Sequence, residues 1–286
     1  MKKHLRIGQI SYSNTLPVYL FFDQERFCDR IDFFQQVPAQ LNREMAAGNI
    51  DVGPISSFSY GEHADDYFAL PGLSVTADGK VRSIYLFSKR PMEELNGATV
   101  SLTNTSATSV NLLKIILQKF LGLQVSYKTE EPDLQTMMQH ADACLLIGDD
   151  ALLAYRNHKE YHVYDLAELW KNQTGYPMTF AVWAVRKAAI EENAALLADV
   201  HAAFLASKTK SLELFDRLIE GAIERYGGNA EGWDVYFRGL SYHFTEQDRK
   251  GLEHYFQCAY EMGLLPSPVK VTLWDGTAHS KTTITN

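Results

Sequence analysis

The chain has 286 residues, 46% hydrophobic and 22% charged, with 27 Lys and Arg against 35 Asp and Glu for a formal charge of −8. That is an ordinary globular composition with enough material for one large or two medium domains. An acidic balance without a basic cluster excludes nucleic acid and anionic membrane surfaces as partners; Arg186-Lys187 and Lys208-Thr209-Lys210 are short and read as solvated helix faces.

In chain order, residues 4–10 read as a strand, followed by Ser11-Tyr12-Ser13-Asn14-Thr15-Leu16-Pro17 and a helix expected through Tyr19, Leu20 and Phe27. Pro17 suits a first helical turn, where its missing N–H costs nothing, and Asn14 and Thr15 fall at the N-terminus, free to cap or to touch a ligand. A strand at 32–37 leads to a helix with Pro38 in its first turn, Leu41 and Met45 on one face, and Gly48 as its stop. A short buried strand at 51–55 ends in Ser56-Ser57. Residues 73–77 and 81–89 are expected to be extended, with a turn at Asp78-Gly79 and another over 90–97.

The stretch ATVSLTNTSATSVNLLKIILQKF, residues 98–120, reads as a strand, a hydroxyl-rich loop and a helix with an apolar stripe of Val110, Leu113, Ile116, Leu117 and Phe120. Ser and Thr are ordinary N-caps, and one would need no further explanation. Thr103, Thr105, Ser106, Thr108 and Ser109 together exceed that need. A helix N-terminus with free N–H groups and several hydroxyls also suits a compact anion such as a carboxylate, and the junction lacks the glycines and lysine of a nucleotide loop.

Strands at 124–127, 143–147, 162–166 and 179–185 follow, with helices at 132–139 and after Gly148-Asp149-Asp150. Beyond Lys187 the pattern is helical: Leu197, Val200 and Phe204 share a face, as do Leu214, Leu218 and Ile223, and then Leu252, Phe256 and Ala259 after a cap at Thr245. Alternation of this kind predicts α/β lobes with mainly parallel sheets, and two polar strand-to-helix junctions are what a ligand clamped between lobes requires. The tail at 277–286 is polar. No apolar run approaches the ~20 residues of a membrane-crossing helix. The basic N-terminus runs into a strand rather than an export signal, and Cys28, Cys144 and Cys258 form no C-x-x-C. The expectation is a cytoplasmic protein with buried, reduced thiols.

Five motifs in order resemble the chorismate dehydratase family of the futalosine route to menaquinone: residues 11–17, Gly53-Pro54-Ile55-Ser56-Ser57, Ser106-Ala107-Thr108-Ser109, residues 146–152 around Gly148-Asp149-Asp150, and Phe180-Ala181-Val182-Trp183-Ala184. The resemblance runs from Arg6 to about Arg186; Ser13 departs from the larger apolar residue of many relatives. It implies a periplasmic-binding-protein-like fold of the second type, with the ligand between two α/β lobes. One lobe is then discontinuous, residues 1–88 with 181–286, and the other spans 89–180.

The implied reaction is loss of water from chorismate to give 3-[(1-carboxyvinyl)oxy]benzoate, without metal or redox cofactor, since aromatisation drives the elimination. The resemblance places Asn14 at the reacting centre and Ser56, Ser83, Thr105, Ser106, Ala107, Thr108 and Asp149 around the substrate. The cleft segments contain no His, Lys or Cys. Asp149 reads either as a cap on the helix at Ala151 or, with Asp150, as a carboxylate pair with split pKa values. With Asp149 as a cap there is no evident base, and the substrate's own enolpyruvyl carboxylate takes the proton. Phe180, Tyr176 and Trp183 are candidates for a ring pocket, with core the default for Trp183. His158 and His162 are four apart but lack a carboxylate motif for metal. A solute-binding or ligand-sensing protein, and a 1,4-dihydroxy-6-naphthoate synthase, are the alternatives on the same fold.

Overall fold

The computed structural model describes residues 4–157 and 160–277. The strand-length apolar runs assemble into two five-stranded sheets. β1 (Leu5–Ile10), β2 (Ile31–Gln36), β3 (Val52–Ser56) and β4 (Tyr67–Ala77) lie in the first. β5 (Ile84–Ser88), β6 (Thr99–Thr103), β7 (Ser126–Glu130), β8 (Ala143–Ile147) and β9 (His162–Asp165) form the second. β10 (Met178–Arg186) returns to the first. The orders are β2-β1-β3-β10-β4 and β7-β6-β8-β5-β9. In each sheet four strands point the same way, whereas β5 and β10, which have just crossed from the other sheet, run antiparallel to both neighbours.

Sheet membership corrects the expected lobe boundaries. β5 hydrogen-bonds to β8 and β9 in the second sheet, so a first lobe ending at residue 88 would cut through it. The chain crosses within 78–83 and returns within 175–177.

Helices fill the connections: α1 (Leu16–Tyr19), α2 (Pro38–Ala46), α3 (Ser57–Glu62), α4 (Ala107–Lys114), α5 (Leu134–His140), α6 (Gly148–Asn157) and α7 (Leu166–Thr174). After β10 come α8 (Lys187–Glu213), α9 (Phe215–Tyr226), α10 (Ala230–Arg238) and α11 (Glu246–Glu261). A π-helical turn, Ile115–Phe120, extends α4. Leu197, Val200 and Phe204 of α8 are fully buried, each contributing about 1.5–3 kcal/mol of transfer free energy. Thr245 and Asp248 form the capping box that starts α11. Trp183 is core: its ring stacks on Tyr19 and its Nε1 donates to the Tyr19 hydroxyl at 3.2 Å.

Three expectations change. The helix after Pro17 ends at Tyr19, and Phe27 belongs to a separate 3-10 turn, Glu25–Phe27. Asp23 accepts the N–H of Arg26 at 3.1 Å, a local side-chain bond that competes with helix continuation. Leu214 sits at the non-helical break between α8 and α9; it and Ile223 are exposed, leaving Leu218 alone of that face in the core. Cys28, just past the 3-10 turn, is exposed, while Cys144 and Cys258 are buried free thiols. Among the described residues no helix is long and apolar enough to cross a membrane.

Candidate functional site

Four strand-to-helix junctions converge between the sheets. β1 runs through Ser13–Thr15 into α1, β3 into α3, β6 into α4 and β8 into α6. All four lie at the C-terminal ends of parallel strands, where open α/β sheets leave room for ligands. The antiparallel pairs complete the walls: Ala181 of β10 lies opposite Ser56, and Ile84 of β5 opposite Ile147. The cavity they enclose measures about 40 Å³. Its polar lining is Tyr12, Asn14, Ser56, Ser83, Ser106 and Ser109, set among apolar side chains that include Ile10, Ile147 and Phe180. Among the described lining residues there is no carboxylate, histidine, lysine, arginine or cysteine.

Asn14, Ser56, Ser83 and Ser106 are thus brought together as the sequence suggested. The Asn14 side-chain oxygen is buried and has no hydrogen-bond partner among the described residues. Such a group costs about 1–3 kcal/mol until something donates to it. Ser106 caps α4, accepting the Ser109 N–H at 3.2 Å and donating to the Ser109 hydroxyl at 3.0 Å. Ser109, one turn on, faces the cavity; the hydroxyl-rich loop signalled it, although it was not singled out for a ligand.

Ser83 is placed by the first crossover. The preceding residue, Arg82, has a left-handed φ of 60°, uncommon for a residue with a side chain. The Asp165 carboxylate accepts N–H groups from Val81 at 3.1 Å and Arg82 at 2.8 Å, and also caps α7 through Ala167 and Glu168. Burial pushes this carboxyl up, against four donors that favour its anion. The Ser83 hydroxyl accepts from the Tyr236 phenol at 3.3 Å, and the Ser83 carbonyl accepts the Gly148 N–H at 2.7 Å.

The other anticipated residues stand beside the cavity and do not line it. The Thr105 hydroxyl pairs with Thr103 at 2.8 Å and bonds the Tyr12 phenol. Ala107 faces an adjoining groove. The Thr108 hydroxyl accepts the Phe58 N–H at 2.9 Å and its carbonyl accepts the Tyr255 hydroxyl at 3.1 Å, tying α4 to α3 and α11.

Asp149 is not a cap. The helix begins at Gly148, one residue before it, and its carboxylate reaches across to accept the Ser13 hydroxyl at 2.6 Å and the Ser13 N–H at 3.4 Å. Burial pushes the carboxyl up, partly offset by those two bonds; Asp150 is pushed up by burial and by the charge of Asp149. Gly148 has a left-handed φ of 61°, and a Cβ there would lie 2.9 Å from the Tyr12 ring. Of the aromatic candidates Phe180 lines the cavity, whereas Tyr176 packs on His254. His158 lies outside the described residues.

Solved structures share this architecture. A protein from Archaeoglobus fulgidus matches with a TM-score of 0.74 and 19% identity, over 92% of this chain and 98% of that one. The alkanesulfonate-binding protein of Xanthomonas axonopodis matches with a TM-score of 0.71 and 17% identity, over 95% and 98%. The fold is therefore the two-lobed periplasmic-binding-protein-like one. In sequence, the chorismate dehydratase of Thermus thermophilus is 33% identical over 278 residues, 92% of this chain and 97% of that protein. The menaquinone-biosynthesis family profile matches residues 5–261. With relatedness spanning both sheets and all four junctions of the cleft, the chain belongs to the menaquinone-biosynthesis family.

Proposed function

We propose that this protein is a cytoplasmic lyase that removes water from chorismate, giving 3-[(1-carboxyvinyl)oxy]benzoate on the futalosine route to menaquinone. The observation that carries the reading is the unpaired, buried oxygen of Asn14 in a cavity lined by neutral hydrogen-bonding groups. The activity for which the Thermus relative is named supports it.

Elimination takes the hydrogen from the ring carbon bearing the enolpyruvyl ether and the hydroxyl from its neighbour. The C–H pair becomes the new ring double bond, the hydroxide leaves with a proton as water, and the ring becomes aromatic. The hydrogen is vinylogous to the ring carboxylate, so charge develops toward that group. The Ser109 hydroxyl, which accepts from Ser106 and keeps its own hydrogen for a ligand, stands at the positive end of α4 and is placed to receive it, as a donor in an oxyanion site does. Asn14 holds the leaving hydroxyl through its free oxygen.

Among the described residues no lining side chain offers a base, and Asp149 is turned to Ser13. The proton therefore goes to the substrate's own enolpyruvyl carboxylate and from it to the departing hydroxide, which leaves as water, with the protein supplying orientation and a water-poor surrounding.

The test is incubation of chelator-treated protein with chorismate, followed by chromatography. Many turnovers to the aromatic ether are expected. Tight binding without chemistry would make it a solute-binding or sensing protein, and activity that needed added zinc would overturn the cofactor-free reading.

A further inference from the structure

Asn42, on α2, does not line the cavity, yet it holds a side chain that does. Its Oδ1 accepts the Ser56 N–H at 3.0 Å, and its Nδ2 donates to the Ser56 Oγ at 2.9 Å. A backbone N–H can only donate, so the amide has one workable orientation and Nδ2 must face the hydroxyl. Ser56 Oγ also accepts the Ser59 N–H at 3.3 Å, as the cap of α3. A hydroxyl has two lone pairs and one hydrogen. Both lone pairs are taken, and among the described residues nothing accepts the hydrogen. Ser56 lines the cavity, and both residues are buried.

We infer that Asn42 is a positioning residue that makes Ser56 an obligate hydrogen-bond donor to an oxygen of the bound ligand, a carboxylate or hydroxyl of the dianionic cyclohexadienol proposed above, on which reading this inference rests. Without Asn42 the hydroxyl regains a free lone pair and turns its hydrogen elsewhere. Replacing the amide by a carboxylate reverses the polarity: one oxygen keeps the Ser56 N–H, and the other draws the hydroxyl hydrogen away from the ligand.

The experiment compares kcat and KM for chorismate in wild type, Asn42→Ala, Asn42→Asp, Ser56→Ala and the double alanine variant, with melting curves for each. Each single variant is expected to lower kcat/KM about tenfold or more, the scale of one lost donor to a developing charge. The double variant should match Ser56→Ala within about twofold, because residues acting through one contact are non-additive. Asn42→Asp should regain activity as pH falls and its carboxyl protonates, becoming a donor again, a recovery that wild type lacks. Multiplicative effects in the double variant, or wild-type kinetics in Asn42→Ala, would overturn the inference. Should Asn42→Ala not fold, the near-isosteric Asn42→Asp and its pH profile decide. A wild type inactive on chorismate would sink the functional reading alone; the same variants are then compared by calorimetric affinity for chorismate, with the same non-additivity expected.

Discussion

At the scale of single residues, the cleft places polar atoms where they are under-used. Asn14 keeps a buried oxygen with no partner among the described residues, although buried polar groups are ordinarily hydrogen-bonded. Asn14→Ala is therefore expected to melt at or above the wild-type temperature while losing at least about tenfold in turnover, since a hydrogen bond made in the transition state is worth ~2–4 kcal/mol. Steady-state kinetics beside calorimetry check it; unchanged turnover would reduce Asn14 to a loop residue. Asp149 carries the opposite expectation. Its folded pKa is raised by burial, so ionising it costs more in the folded than in the unfolded chain. Wild-type stability should fall as pH climbs from the ordinary carboxylate value through the raised one. Asn at 149 keeps one oxygen for the Ser13 hydroxyl, gives up the longer bond from the Ser13 N–H, and has nothing to ionise. The melting advantage of Asp149→Asn should thus grow across that window and be constant above it, and an advantage that shrinks with rising pH would contradict the sign.

Among the elements, the crossover strands set the site's shape. β5 and β10 enter sheets that are otherwise parallel and bring Ile84 and Ala181 to the cavity wall. The turn before β5 depends on one side chain, since Asp165 binds the Val81 and Arg82 N–H groups and the start of α7 together. Asp165→Asn replaces one acceptor oxygen by a donor facing N–H groups. It should lose about 1–3 kcal/mol of stability and raise KM through the displaced Ser83. Thermal melts and kinetics test both; a stable variant with normal KM would mean the turn holds without the carboxylate. Capping, proline and glycine signals at α2 and α11 were legible because they are local in sequence. The short α1 was not, because a competing bond at Asp23 lies in the turn that follows it.

For the whole molecule, the two sheets are joined by polar contacts at the cleft edge: Ser13 to Asp149, Phe58 and Tyr255 to Thr108, and Tyr12 to Thr105. A cavity of about 40 Å³ is far too small for a ring with two carboxylates, so the proposed substrate enters only when the lobes part. These contacts then favour the closed form in which the chemistry occurs. Removing two of them, in a Ser13→Ala, Thr108→Val double variant, should shift the equilibrium toward open by about 1–3 kcal/mol. The expected result is a higher KM and a larger radius of gyration by small-angle X-ray scattering. A variant as compact as wild type, with the same KM, would show that closure does not rest on these bonds.

The sequence by itself determined the α/β class, most strand positions and the helical C-terminal third, because periodicity, caps and short motifs are written within a few residues of one another. It also showed that the cleft motifs carry no histidine, lysine or cysteine. Only the tertiary structure decided that the chain crosses before β5, that Thr108 spends its hydroxyl on α3, that Asp149 reaches Ser13, and that Asn42 governs Ser56. Those pairings join residues 14 to 136 positions apart, and hydrogen-bond direction is fixed by which groups the fold brings face to face, a quantity no local pattern encodes.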